Sequence, residues 1–162
     1  MAEKTLQDLF LHTLKDVYYA EKQVLRALPR MAKAATSEEL RRAFEHHRTE
    51  TEHQIERLEQ VFGLLGKKPH GVPCEAIQGI IEEGKEVMDD FKGSEALDAG
   101  IIAAAQAVEH YEITRYGTLK TWAGQLGMKD AVKLFDESLM EEVKADERLT
   151  SLAVAQVNRK AA

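Results

Sequence analysis

The chain has 162 residues, 44% hydrophobic and 31% charged, with a formal charge of −6, a pI near 5.6 and only three prolines. That length supports one domain with a sizeable core, and a composition dominated by Ala, Leu, Glu and Lys favours an all-α fold. The acidic balance argues against a nucleic-acid surface, which needs a clustered basic face to displace counterions from phosphate.

A first helix is expected over about residues 4 to 35, on a stripe of Leu6, Phe10, Leu14, Val17, Glu21, Val24 and Leu28. Pro29 removes a backbone donor, so a kink or early end is expected near Ala27. Thr36 with Glu39 has the spacing of a capping box and starts a second helix near residue 37. Its stripe runs Leu40, Phe44, His47, Glu50, Gln54, Leu58, Val61 and Leu65, and Gly66 suits a left-handed C-terminal cap. The Gly- and Pro-rich stretch from Gly66 to Pro73 is a connector to a shorter helix over residues 74 to 91, which crosses between the two halves.

Ser94 is the expected N-cap of a third long helix with Leu97, Ile101, Ala105, Val108, Glu112, Tyr116, Leu119, Ala123 and Leu126 inward and Glu109 at the border. After a turn at Gly124 and Gly127, a last helix directs Val132, Phe135, Leu139, Glu142, Asp146, Leu149 and Ala153 inward. Two helical hairpins joined by a crossover make a four-helix bundle of ferritin type. Cys74 has no partner for an intramolecular disulfide and no zinc-type spacing, which fits a reducing cytoplasm. No apolar signal segment and no uninterrupted apolar run of about 18 residues is present, so neither export by that route nor a membrane span is expected.

Glutamates interrupt all four stripes. Glu21 and Glu50 lie 29 residues apart, Glu112 and Glu142 lie 30 apart, and the two pairs are offset by 91 and 92 residues as a weak internal repeat. Phe44 and Phe135, and Leu58 and Leu149, repeat at the same offset of 91. An unpaired buried carboxylate costs several kcal/mol, so four converging acids call for a shared cation. Candidate ligands are Glu21; Glu50 with His53 as a Glu-x-x-His element; Glu109 with Glu112; and Glu142 with Asp146. Glu141 could replace Glu142, and His47 lies on the stripe whereas His53 lies one step off it.

Each acid taken alone is more simply read as part of a solvated helix face, and Asp146 could instead orient a ligand or pair with Lys144 or Arg148. The oxygen-rich set suits two ions of iron or manganese, and would also accept magnesium or calcium. With iron bound, Tyr18, Tyr19, Tyr111, Tyr116 and Trp122 are candidates to supply electrons or pack the site.

The segments DLFLHTLKDVYYAEKQVLRALP, AAAQAVEHYEITRYGTL and SLMEEVKADERLTSLAVAQVN resemble the YciF-type family of bacterial stress proteins, over nearly the whole chain. The resemblance implies a ferritin-like, rubrerythrin-related fold, a homodimer, a two-metal site and the ligands Glu21, Glu50, Glu109, Glu112, Glu142 and Asp146. His53 does not carry over from it, and the chain lacks both a second Glu-x-x-His and the cysteine tail that brings electrons to rubrerythrins. The expected function is that of a cytoplasmic stress protein with a di-metal carboxylate site, iron first and manganese second, and with oxidase or peroxide-scavenging chemistry. The competing expectation is a dimeric structural or interaction module whose metal site is vestigial.

Overall fold

The structure, a computed structural model, describes residues 2–162. Its elements are α1 (Leu6–Ala34), α2 (Glu38–Leu64), α3 (Glu75–Asp90), α4 (Leu97–Gln125) and α5 (Lys129–Leu152), then a π-helical stretch, Ala153–Val157, and a closing turn, α6 (Asn158–Ala161). α1 packs on α2 and α4 on α5; the hairpins meet through α2 against α5 and α1 against α4, while α3 lies across α4 and α1. This is an all-α, ferritin-like four-helix bundle with a short crossover helix.

Each boundary has a chemical cause. α1 begins at a capping box that sequence reading did not single out: Thr5 Oγ1 accepts from Asp8 N, and Asp8 Oδ2 accepts from Thr5 N at 2.8 Å. The early end expected near Ala27 as one outcome of Pro29 does not occur, and α1 runs on to Ala34. Pro29 is exposed, so the carbonyl it leaves without a donor can be hydrated, while Leu28, Met31 and Ala32 are buried beside it and hold the last turns in place.

The cap of α2 is Ser37, whose Oγ accepts from Leu40 N, and not Thr36. Thr36 is engaged elsewhere: buried Asp98 of α4 accepts from Thr36 N, Thr36 Oγ1 and Ser37 N at 2.7–2.8 Å. Gly66, at φ +66°, ends α2 as expected, with Lys67 N donating to Phe62 O. Ser94 sits in the turn before α4 instead of capping it, its Oγ accepting from Ala96 N. Gly100 is needed where α3 crosses, since a Cβ there would lie 2.5 Å from Val87 Cγ1.

The apolar interior is divided. One cluster joins Val24, Leu28, Leu40, Phe44, Ile77, Ile101 and Val108, and a second joins Phe10, Leu14, Leu58, Phe62, Tyr116, Leu119 and Phe135. Between them Glu21, His47, Thr51, Gln54, Glu109, Glu112, Ser138 and Glu142 are all buried. A protein of this size gains its stability chiefly from apolar burial, so a polar layer across the bundle is a cost that packing elsewhere offsets.

Asp98 ties the first hairpin to the second through three hydrogen bonds, two of them to backbone amides that start α2. Asp98→Ala is expected to lower unfolding stability by about 3 kcal/mol, the scale of lost charge-assisted bonds with buried donors left unpaired, measured as a fall in urea midpoint at constant slope.

Candidate metal centre

The helical period carries the acids inward. α1 contributes Glu21 one turn after Val17; α2 contributes His47; α4 contributes Glu109 and Glu112 on adjacent turns; and α5 contributes Glu142 one turn after Ser138. Ligand atoms of His47, Glu109, Glu112 and Glu142 all lie within 4.8 Å of one another. His47 Nε2 is 3.2 Å from Glu109 Oε1 and 3.5 Å from Glu142 Oε2, and its Nδ1 is 3.5 Å from Glu50 Oε1. Tyr116 donates to Glu21 Oε1 at 2.8 Å, which orients that carboxylate, and Thr51 Oγ1 donates to the His47 carbonyl.

The sequence-derived candidates divide accordingly. Glu21, Glu109, Glu112 and Glu142 are fully buried in the layer. Glu50 and Asp146 stand at its rims, 17% and 20% exposed, beside the exposed His46 and His110: His46 Nε2 is 3.4 Å from Glu50 Oε1, and His110 Nε2 is 3.0 Å from Asp146 Oδ2. His53 is exposed and outside the cluster. The histidine of the layer is His47, because the phase of α2 turns the side three residues after Glu50 to solvent and the side three before it to the core. Glu142 is the inward member of its pair; Glu141 binds Arg57, which also reaches Glu137 and Ser138. Tyr18 donates to Glu59, Tyr19 accepts from Gln78, and Tyr111 meets Cys74 Sγ at 3.3 Å. Tyr116 alone of the aromatic candidates is hydrogen-bonded to a layer acid among the described residues.

The electrostatics are those of crowded buried carboxylates around one imidazole. Burial pushes Glu21 up to about 7, and burial with neighbouring carboxylates holds Glu112 and Glu142 well above the usual carboxylate range. His47 is raised well above an ordinary imidazole by Glu142 and Glu109 although burial opposes it; Glu109, beside His47, is lowered although burial would raise it. Among the described residues, nine of the ten buried side-chain N and O atoms without a hydrogen-bond partner belong to Glu21, His47, Glu109, Glu112, Glu142 and Asp146. Native interiors rarely leave such atoms unpaired, so the donor set fits a metal.

Known proteins share the sequence and the fold of this chain. The family described as a domain of unknown function, DUF892, matches residues 5–162. The chain belongs to the DUF892 family. It is 49% identical to protein YciF of Escherichia coli (strain K12) over 162 residues, covering 99% of this chain and 98% of that one. The crystal structure of the E. coli stress protein YciF matches with TM-score 0.92 and 48% identity, covering 97% of this chain and 99% of that chain. YcfI of Rhodopseudomonas palustris, provisionally described as a structural protein, matches with TM-score 0.89 and 49% identity over 91% of this chain and 94% of its own. A Xanthomonas campestris pv. campestris protein at 21% identity and TM-score 0.72 shares the fold. Among the described residues of this DUF892 member, no helix is long and apolar enough to cross a membrane.

The shifts define a pH dependence. A group that holds its proton more tightly when folded contributes stability fully present below its unfolded pKa and lost as pH rises through the folded one. Glu21, Glu112, Glu142 and His47 are all of this kind; Glu109 acts oppositely, its contribution being lost as pH falls through its lowered value. Metal-free protein is therefore expected to lose stability as pH rises from the ordinary glutamate range through about 7. Glu112→Gln, which mimics the protonated acid, should raise the melting temperature of metal-free protein more at pH 8 than at pH 5, checked by calorimetry at both values.

Proposed function

We propose that this protein is a stress protein, as its E. coli relative is named, that it works in the cytoplasm, and that it binds two metal ions in the buried carboxylate layer. The unpartnered buried atoms of Glu21, His47, Glu109, Glu112 and Glu142 carry the reading. Charge balance favours two ions: the four buried glutamates, fully ionised, match the charge of two divalent cations. Asp146 stands where it could complete a coordination sphere at one rim, while Glu50 at the other rim lies outside the set whose ligand atoms come within 4.8 Å of one another. A set of carboxylates with one imidazole suits iron first and manganese second.

Bound iron would supply Fe(II)/Fe(III) exchange with dioxygen or peroxide, giving oxidase or peroxide-scavenging chemistry. The chain's own contribution is more specific. Glu21 is held by Tyr116, the apolar clusters exclude water from both ends of the layer, and His47 lies within reach of both Glu109 and Glu142. An apolar cavity of about 30 Å³ between α1, α3 and α4, lined by Val24, Leu28, Ile80, Ile101 and Val108, extends to Glu109 and offers a small neutral oxidant a dry path.

A homodimer is the proposed assembly, for which Met140 and Val143 offer exposed apolar surface on α5. The second reading, a structural or interaction module, draws on the description of the R. palustris relative.

Metal separates the two readings. Adding Mn(II) or Fe(II) under anaerobic conditions at about 100 times its dissociation constant should stabilise the fold by about 2.7 kcal/mol for each ion bound. The Glu112→Gln, Glu142→Gln double variant, which removes two of the four buried carboxylates, should show no such rise and no retained metal by elemental analysis. Equal metal content and equal stabilisation in both proteins would favour the structural reading.

A further inference from the structure

We propose that His46 and Glu50 form a loading site where a divalent cation is first captured from solvent and passed to His47; the proposal rests on the metal-binding reading above. Exposure falls stepwise along one line of donors. The side chains of His46, Glu50, His47, Glu109 and Glu142 are 65%, 17%, 4%, 3% and 0% exposed. Their separations are 3.4 Å from His46 Nε2 to Glu50 Oε1, 3.5 Å from Glu50 Oε1 to His47 Nδ1, and 3.2 and 3.5 Å from His47 Nε2 to Glu109 and Glu142. Helical spacing produces this: positions 46 and 47 are one turn before 50, so a single Glu50 oxygen faces the outer imidazole and the inner one.

A second observation points inward from the same place. His47 is almost fully buried, neither ring nitrogen has a hydrogen-bond partner, and it lines a cleft of about 20 Å³ with His46, Glu50, Glu109 and Arg148. That volume admits about one water or a partly dehydrated ion. The apolar ways in are less suited to a cation. The two ends of the layer are closed by the apolar clusters, and the cavity between α1, α3 and α4 is apolar with Arg30 and Lys85 on its walls. Glu50 does not belong to the set of four whose ligand atoms lie within 4.8 Å of one another, which suits a stop on the way in. Arg148 also lines this cleft, and its fixed positive charge opposes loading and slows it.

The test is the rate and the end-point of Co(II) uptake by metal-free protein, followed by stopped-flow absorbance. Glu50→Gln and His46→Ala should each slow uptake roughly tenfold, the lower end of electrostatic effects on association, while the final Co(II) per chain stays at the wild-type value. Arg148→Ala should speed it and weaken its salt dependence. Unchanged rates in all three variants would overturn the loading role. A final Co(II) content reduced in Glu50→Gln would overturn it too, by making Glu50 a resident ligand. If wild-type protein takes up no Co(II) at all, the metal-binding reading itself fails.

Discussion

Four carboxylates and an imidazole are buried in one layer of a narrow helical bundle, with far fewer hydrogen bonds than their oxygens and nitrogens require. Isolated charges in such surroundings cost several kcal/mol each; burial and crowding raise the proton affinity of Glu112 and Glu142, which favours their neutral forms, while His47, raised by Glu142 and Glu109, can offset their charge. The arrangement divides the apolar core into two clusters and places aromatic packing, such as Phe10 edge-on to Phe135 at 6.0 Å, on either side of the polar seam. A fold that needed only stability would fill this seam with leucine. The donor set kept there fits neutralisation by bound cations, which is the reading proposed.

The rest of the molecule follows from holding that seam in place. Long helices are required because each supplies one or two side chains at a common depth, with apolar turns above and below to anchor it. The crossing of α3 over α4 at Gly100, and the Asp98 tie to the start of α2, fix how the two hairpins meet and so fix the depth at which Glu21 and His47 face Glu109, Glu112 and Glu142. At the edges, Arg57 holds Glu141 outward, while His46 and His110 stand over the half-buried Glu50 and Asp146.

Much of this was legible in the residues. Apolar spacing identified five helices, the Gly66 cap and the inward phase of Glu21, Glu112 and Glu142, because a 3.6-residue period constrains a face strongly over many turns. It was weaker by one residue at the edges. His47 lay on the stripe, yet the Glu-x-x-His pattern drew attention to His53, which the helix turns to solvent. Long-range partners were invisible to local spacing: nothing near Thr36 announces that Asp98, 62 positions on, takes up its hydroxyl and moves the cap to Ser37. Pro29 shows the same override, a local breaker carried through by tertiary packing.

The central claim is that the acid layer is a resident two-metal centre. Anomalous diffraction at the manganese edge from crystals grown with Mn(II) tests it directly. Two peaks among Glu21, His47, Glu109, Glu112 and Glu142 are the expected result. Their absence, with Glu112 and Glu142 instead joined to their neighbours by short carboxylic-acid hydrogen bonds, would contradict it.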